Sequence, residues 1–255
     1  PGPMDLHRSE MHVPSPGPDA AEASRRPVVE ATKLTKTYTV DDRHISVLRD
    51  IDLSVRAGEF LVIRGSSGSG KTTLLSLLSG LDRPDSGQVR IEGLDITGLS
   101  EDKLAPLRNH TFGFVFQSFH LIPSLTALEN VMFPAELRGE SRAEDQARTL
   151  LAQVGLAERS DNFPHQLSGG EMQRVAICRA LINHPRIIFA DEPTGNLDSR
   201  NGQIVLQLLL DFHRKRRTTL IMVTHSRDLA DLADRVIRLQ DGAIQPDREQ
   251  RHADR

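Results

Sequence analysis

Gly65-Ser66-Ser67-Gly68-Ser69-Gly70-Lys71-Thr72 decides how the chain is to be read. Its glycines let the backbone curl tightly and turn N–H groups inward, forming a cradle for anionic oxygens. Glu59-Phe60-Leu61-Val62-Ile63-Arg64, just before it, has the pattern of a largely buried strand. Lys71 to Ser79 carries leucines on one face and reads as a helix whose positive end is aimed at the loop. Strand, glycine loop and helix in this order are the setting of a phosphate-binding loop. There Lys71 reaches the β- and γ-phosphates, Thr72 helps hold Mg²⁺, and Thr73 continues the phosphate-facing turn. The bare pattern arises by accident in about 1% of chains this long, and the flanking elements reduce that further. The expected ligand is ATP with Mg²⁺.

A second site lies downstream. Ile187-Ile188-Phe189-Ala190-Asp191-Glu192 is an apolar strand ending in two carboxylates. Ligands bind at the carboxyl ends of parallel strands, which places Asp191 to support Mg²⁺ and Glu192 to polarise an attacking water. Alone, such a pair is as often a solvated loop start; the phosphate loop shifts the balance.

Outward from these sites, the chain organises as α/β. Val28–Ala31 and Ile51–Val55 read as antiparallel strands. Phe112–Phe116, Ile187–Ala190, Thr219–Val223 and Arg235–Leu239 are further strands, with helices at 200–215 and 226–232 between the later ones. That alternation predicts a mostly parallel sheet covered by helices. Helical patterns at 101–108, 126–137 and 142–154 suggest an inserted helical region, and Ser168–Asn183 a longer amphipathic helix. The expected division is a disordered tail over 1–27, holding six of fourteen prolines, one domain over 28–245 with a helical subdomain at about 118–183, and a loose tail over 246–255. Pro1-Gly2-Pro3 before Met4 has the look of an expression scar.

Composition narrows the classes. A net charge of −3 carries no global footprint for nucleic acid. A single cysteine excludes an intramolecular disulfide and suits a reducing compartment. No secretory signal is evident and no apolar run has the length of a membrane span, so work at a membrane requires another chain to cross it. The ten histidines show no metal-ligand spacing. His213-Arg214-Lys215-Arg216-Arg217 reads as a solvated helix end, with anionic lipid as the alternative, and Cys178 as a packed small residue.

Leu167-Ser168-Gly169-Gly170-Glu171-Met172-Gln173 opens the long helix, and Ser168 and Glu171 have capping-box spacing. In isolation that is only a good helix start. Together with the two sites above, it matches the signature sequence of ATP-binding cassette (ABC) proteins, which the chain resembles over roughly residues 28–244. The resemblance implies further roles. Tyr38, the one tyrosine, looks like the aromatic residue that stacks on adenine. Gln117 looks like the glutamine that senses Mg²⁺ and the attacking water. Asn196-Leu197-Asp198 resembles the loop crossing the dimer interface, and His225 the switch histidine at the γ-phosphate. It also implies a P-loop NTPase fold with an antiparallel β subdomain, and a two-fold homodimer. Each ATP is then held between one subunit's phosphate loop and the signature at Ser168, Gly169, Gly170 and Glu171 of the other.

The segments Phe112–Pro123 and Asp191–Asp198 resemble one subgroup: the LolD, MacB, FtsE and YbbA-like cassettes. Pro134–Glu140 and Thr219–His225 lean toward the YbbA-like members. That likeness implies a peripheral protein on the cytoplasmic face of the bacterial inner membrane. Its partner would be a permease with four membrane helices per subunit, of MacB/FtsX type, and no nucleic acid is expected. Two functions compete. One is a transporter-type ATPase subunit handling lipid, lipoprotein or hydrophobic compounds; the other is an FtsE-like regulator of the cell envelope that moves no cargo. A soluble cassette acting on DNA or ribosomes fits less well, lacking a paired cassette or a long coiled coil. Departures from the pattern are small: Thr72 replaces a frequent serine, Met172 stands where arginine or glutamine is frequent, and Arg64 replaces an apolar residue.

Overall fold

The computed structural model describes residues 27–225 and 229–245. The expected tails, apart from Pro27, and residues 226–228 of the expected helix at 226–232 lie outside them. Of that helix, Ala230–Leu232 is a single 3₁₀ turn.

Two long strands, β1 (Pro27–Val40) and β2 (Arg43–Arg56), form a hairpin closed by Asp41 and Asp42, both with positive φ. The sequence pattern marks only short parts of them. The reason is local: the register shifts at four places, and Lys33 and Asp50 also take positive φ, so the alternation of apolar residues is broken. β3 (Phe60–Arg64) leads through the glycine loop into α1 (Lys71–Leu78). β4 (Ser86–Ile91) and β5 (Leu94–Asp95) follow, a hairpin the sequence reading lacks. Its signal is present in retrospect: Glu92-Gly93 is a two-residue turn with both φ positive, after alternating Val89 and Ile91. Next come α2 (Glu101–Thr111), β6 (Phe112–Phe116), α3 (Ala127–Glu136), α4 (Ala143–Gln153) and α5 (Gly169–Leu181). The described residues end with β7 (Ile187–Asp191), α6 (Ser199–Arg216), β8 (Thr219–Val223), β9 (Arg235–Gln240) and β10 (Ala243–Gln245).

The strands build two sheets. One is antiparallel, in the order β2-β1-β4-β5; the other has six strands in the order β10-β9-β3-β8-β7-β6. In the larger sheet β9, β3, β8, β7 and β6 run parallel, and β10 joins β9 antiparallel. Strands β7 and β8 are apolar and buried almost throughout, as central parallel strands covered on both faces must be.

Their alternate residues feed two cores, because successive side chains of a strand point to opposite faces. Val62, Ile188, Ala190, Leu220 and Met222 pack on the side of α3, α4, α5 and α6, with Val131, Leu151, Val175 and Leu209. Leu61, Ile63, Ile187, Phe189, Ile221 and Val223 pack on the other side, against Leu74, Leu77 and Leu78 of α1 and against Val29, Leu34 and Ile51 of the antiparallel sheet. α3, α4 and α5 contact one another. α2, grouped with them by its helical pattern, packs elsewhere: its Leu104 sits in the α1-side core, over Gly80 and beside Ile96. Cys178, mid-α5, is sealed in the helical core, and burial pushes its thiol up to about 12. Among the described residues no helix is long and apolar enough to cross a membrane.

Candidate nucleotide site

The carboxyl ends of β3, β6, β7 and β8 deliver the site residues to one edge of the parallel sheet. After β3 the chain turns back sharply. A Cβ on Gly65 would stand 2.3 Å from the Leu239 carbonyl and 2.4 Å from Ser69 Oγ, so only glycine fits. Gly70, at φ 98°, ends the loop as the N-terminal flank of α1, where a Cβ would meet the Val47 carbonyl at 2.8 Å. Lys71 is 6% exposed and folds back over the loop, its ammonium donating to the Ser66 carbonyl at 2.9 Å. Ser69 Oγ is buried in the same loop with no hydrogen-bond partner. A cradle of backbone with a buried cation and an unpartnered hydroxyl is suited to an anion.

Opposite the loop, the Thr72 hydroxyl donates to Asp191 at 3.2 Å. Burial pushes the Asp191 carboxyl above its ordinary range, while the Thr72 hydroxyl and the Lys71 charge pull it back. A half-buried carboxylate beside a hydroxyl is a hard-oxygen pair of the kind that hard divalent cations take. The pair fits Mg²⁺, which takes few protein ligands and keeps waters and phosphate oxygens. Among the described residues no group of three or more His, Cys, Asp or Glu side chains is placed to hold a metal ion.

Glu192, one residue beyond β7, sits at φ 46°, and its N–H is held by the Val223 carbonyl at 3.0 Å. Its Oε1 lies 2.8 Å from His225 Nε2, so the ends of β7 and β8 are joined by a side-chain pair. Burial raises the Glu192 pKa against the lowering influence of His225 and Lys71. Gln117, after β6, donates to Asn196 Oδ1 at 3.0 Å and accepts through its backbone carbonyl from Asn196 Nδ2 at 3.1 Å. It lies so close to Gly195 that a Cβ there would meet its amide at 2.7 Å.

Tyr38 stands on β1 with 38% of its surface exposed, its hydroxyl donating to Asp82 at 2.7 Å and the Thr73 side chain beside it. Lys71, Thr72, Thr73, Asp191, Glu192, His225, Gln117 and Tyr38 therefore surround one region. The signature residues form a separate group. Ser168 caps α5, accepting from the Glu171 N–H at 3.3 Å, while Glu171 accepts the Ser168 N–H and hydroxyl, both at 2.8 Å. Glu171 also pairs with Arg159 at 3.3 Å, so its carboxylate is committed to holding the helix start. Gly170 lies against Asn201, where a Cβ would meet Oδ1 at 2.3 Å. Asp198 caps α6 through the Asn201 N–H at 2.9 Å, and that bond holds its carboxyl below the ordinary range. Among the described residues no hydrogen bond or ion pair links Ser168, Glu171 or Asp198 to the loop at 65–72.

One residue of this region escaped the sequence reading. Gln173 is fully buried, and its amide donates to the Pro193 carbonyl at 2.6 Å and the Phe116 carbonyl at 3.2 Å. It thus ties α5 to the residue before Gln117 and the residue after Glu192. The signal was a glutamine on the buried stripe Gly170, Gln173, Ile177 and Ala180 of an otherwise apolar helix face.

Phosphate loop, acidic strand end and covered parallel sheet together define a P-loop nucleotide-binding domain. The family profile described as ABC transporter matches residues 48–195, and the chain belongs to that family as an ATP-binding cassette. It is 47% identical over 229 residues to the macrolide export ATP-binding/permease protein MacB of Chlorobaculum tepidum, covering 89% of this chain and 35% of that protein. The chain thus spans about a third of the length of the MacB relatives it matches. The ABC transporter ATP-binding protein YbbA of Escherichia coli K12 is 49% identical over 220 residues, which is 86% of this chain and 96% of YbbA. Two dimeric structures of the cassette MJ0796, one in a post-hydrolysis state with ADP and Pi, match with TM-score 0.79 and 40% identity, over 86% of this chain and 97% of theirs.

Proposed function

We propose that this cassette hydrolyses ATP as half of a two-fold dimer and drives a membrane permease. The observation carrying the proposal is the convergence of Lys71, the Thr72–Asp191 pair and the Glu192–His225 pair on one sheet edge, while the Ser168 helix start stands apart from it. A helix N-terminus with free N–H groups is a phosphate site, and a second chain would bring it to the loop.

In this reading the loop N–H groups and Lys71 hold the β- and γ-phosphates, and Tyr38 stacks on the adenine. Thr72 and Asp191 hold Mg²⁺, with Gln117 beside it; the ion would supply charge neutralisation on the phosphate oxygens. Glu192 accepts the proton of the attacking water, and His225 holds the carboxylate in place and reaches the γ-phosphate. The MacB relatives carry permease in their names and are about three times as long as the matched region, which supports a membrane partner; the location in this reading is the inner face of the bacterial inner membrane. The partner is a MacB/FtsX-like permease of four membrane helices per subunit. Envelope mechanotransmission without cargo is the second reading, favoured where the partner co-purifies with an activator of peptidoglycan enzymes.

Glu192→Gln tests the chemistry. It should bind ATP as the wild type does and hydrolyse it about 100-fold or more slowly. Wild-type turnover would remove Glu192 from the role of base.

A further inference from the structure

We propose that Asp82 is a positioning residue for the nucleobase: with Lys36 it fixes the plane and the free face of Tyr38 relative to the helix that carries the phosphate loop. The proposal rests on the reading of Tyr38 as the base-stacking residue.

The Asp82 carboxylate holds two side chains at once, and its Oδ1 also accepts the Arg83 N–H at 2.7 Å. Oδ2 accepts the Tyr38 hydroxyl at 2.7 Å and Oδ1 accepts the Lys36 ammonium at 3.0 Å. Lys36 is 9% exposed and donates also to the Arg83 carbonyl at 2.7 Å. Its ammonium lies over the Tyr38 ring, 4.9 Å from the centroid. That face of the ring is occupied by a cation, so a base has the opposite face.

Asp82 is itself anchored. Its N–H donates to the Ser76 carbonyl within α1, and the segment that follows is stitched to β1 on both sides of Lys36. Asp85 donates its N–H to the Thr35 carbonyl at 2.9 Å and accepts the Thr37 N–H at 2.6 Å. The same helix begins at Lys71 and Thr72. Base platform and phosphate cradle are therefore referred to one rigid piece, α1, which sets the span between them. A ring held only by its own χ angles would lose that reference and lose entropy on binding.

The chain has one tyrosine and no tryptophan, so ultraviolet emission reports Tyr38 alone. The experiment compares ADP with inorganic tripolyphosphate on the full chain, in wild type, Asp82→Ala, Asp82→Asn and Tyr38→Phe. ADP should quench wild-type emission and tripolyphosphate should leave it unchanged. Asp82→Ala should weaken ADP about fivefold, the order of a misaligned aromatic contact, while tripolyphosphate affinity stays as in wild type. Asp82→Asn, which keeps one acceptor, should fall between. By calorimetry the Tyr38→Phe and Asp82→Ala losses should not add in the double variant, since both break one contact. The phenol of Asp82→Ala should also titrate at lower pH, because the hydrogen bond and charge of the carboxylate, which act with burial to raise it, would be gone.

Equal losses for ADP and tripolyphosphate would reduce Asp82 to a prop for α1 and overturn the proposal, as would unchanged ADP binding in Asp82→Ala. The underlying reading fails separately: Tyr38→Ala binding ADP like wild type would mean that no base stacks there. Weak ADP binding by Tyr38→Ala with normal binding by Asp82→Ala would keep the stacking and discard the positioning.

Discussion

In the proposed role of base, Glu192 would serve chemistry at a cost to folding. It is held at a positive φ and burial raises its pKa above the ordinary glutamate value of 4.5. A base must be ionised to act, so the acidic limb of the hydrolysis profile should lie above 4.5, and moving it to 4.5 would need the burial removed. The linkage has a definite sign. Between 4.5 and the raised value the folded state binds the proton more tightly than the unfolded state does, so this group's contribution to stability falls as pH rises through that window. Glu192→Gln should remove that fall, and thermal melts from pH 4 to 8 would read the difference; parallel curves for the two proteins would contradict it. Asp191 is perturbed in the same direction by burial. Its pairing with Thr72 predicts that Thr72→Val weakens Mg²⁺-dependent ATP binding more than metal-free binding, as titrations with and without chelator would show.

At the scale of elements, α5 carries the most. Its first turn is closed by the reciprocal Ser168–Glu171 box, and Ser168→Ala should cost about 1 kcal/mol in chemical denaturation. One turn on, Gln173 joins the neighbours of Gln117 and Glu192. Gln173→Leu leaves two buried carbonyls without that donor. We expect kcat to fall by about tenfold or more with KM little changed, since misplaced groups cost rate more than binding. A KM effect alone would assign Gln173 to nucleotide binding instead. Much of this was legible in the sequence where one motif sits on one element: the loop with its strand and helix, Asp191 and Glu192 at the end of β7, and the cap at Ser168. What the sequence hid depends on partners distant along the chain. The long reach of β1 and β2 was masked by bulges, the packing side of α2 is set by Gly80 and Ile96, and the role of Gln173 exists only once α5, β6 and β7 meet.

For the whole molecule, the proposed composite site of two half-sites leads to a complementation test. Lys71→Ala spoils the loop and Ser168→Arg spoils the signature, so each chain alone should be inactive. Mixed, they should form one intact composite site per heterodimer and regain hydrolysis, with specific activity rising with total protein concentration. No recovery on mixing would place both halves of the site within one chain.

The sealed thiol of Cys178 makes such experiments simpler to watch. A thiol raised to about 12 and without solvent contact should not react with maleimides at neutral pH, as mass spectrometry after treatment would show. The native chain is thus already blank for site-directed labelling, with its sole cysteine left in place. A cysteine introduced on an exposed position of the antiparallel sheet would carry one dye per chain. Pairs of dyes on two chains could then time the approach of the subunits as nucleotide is added.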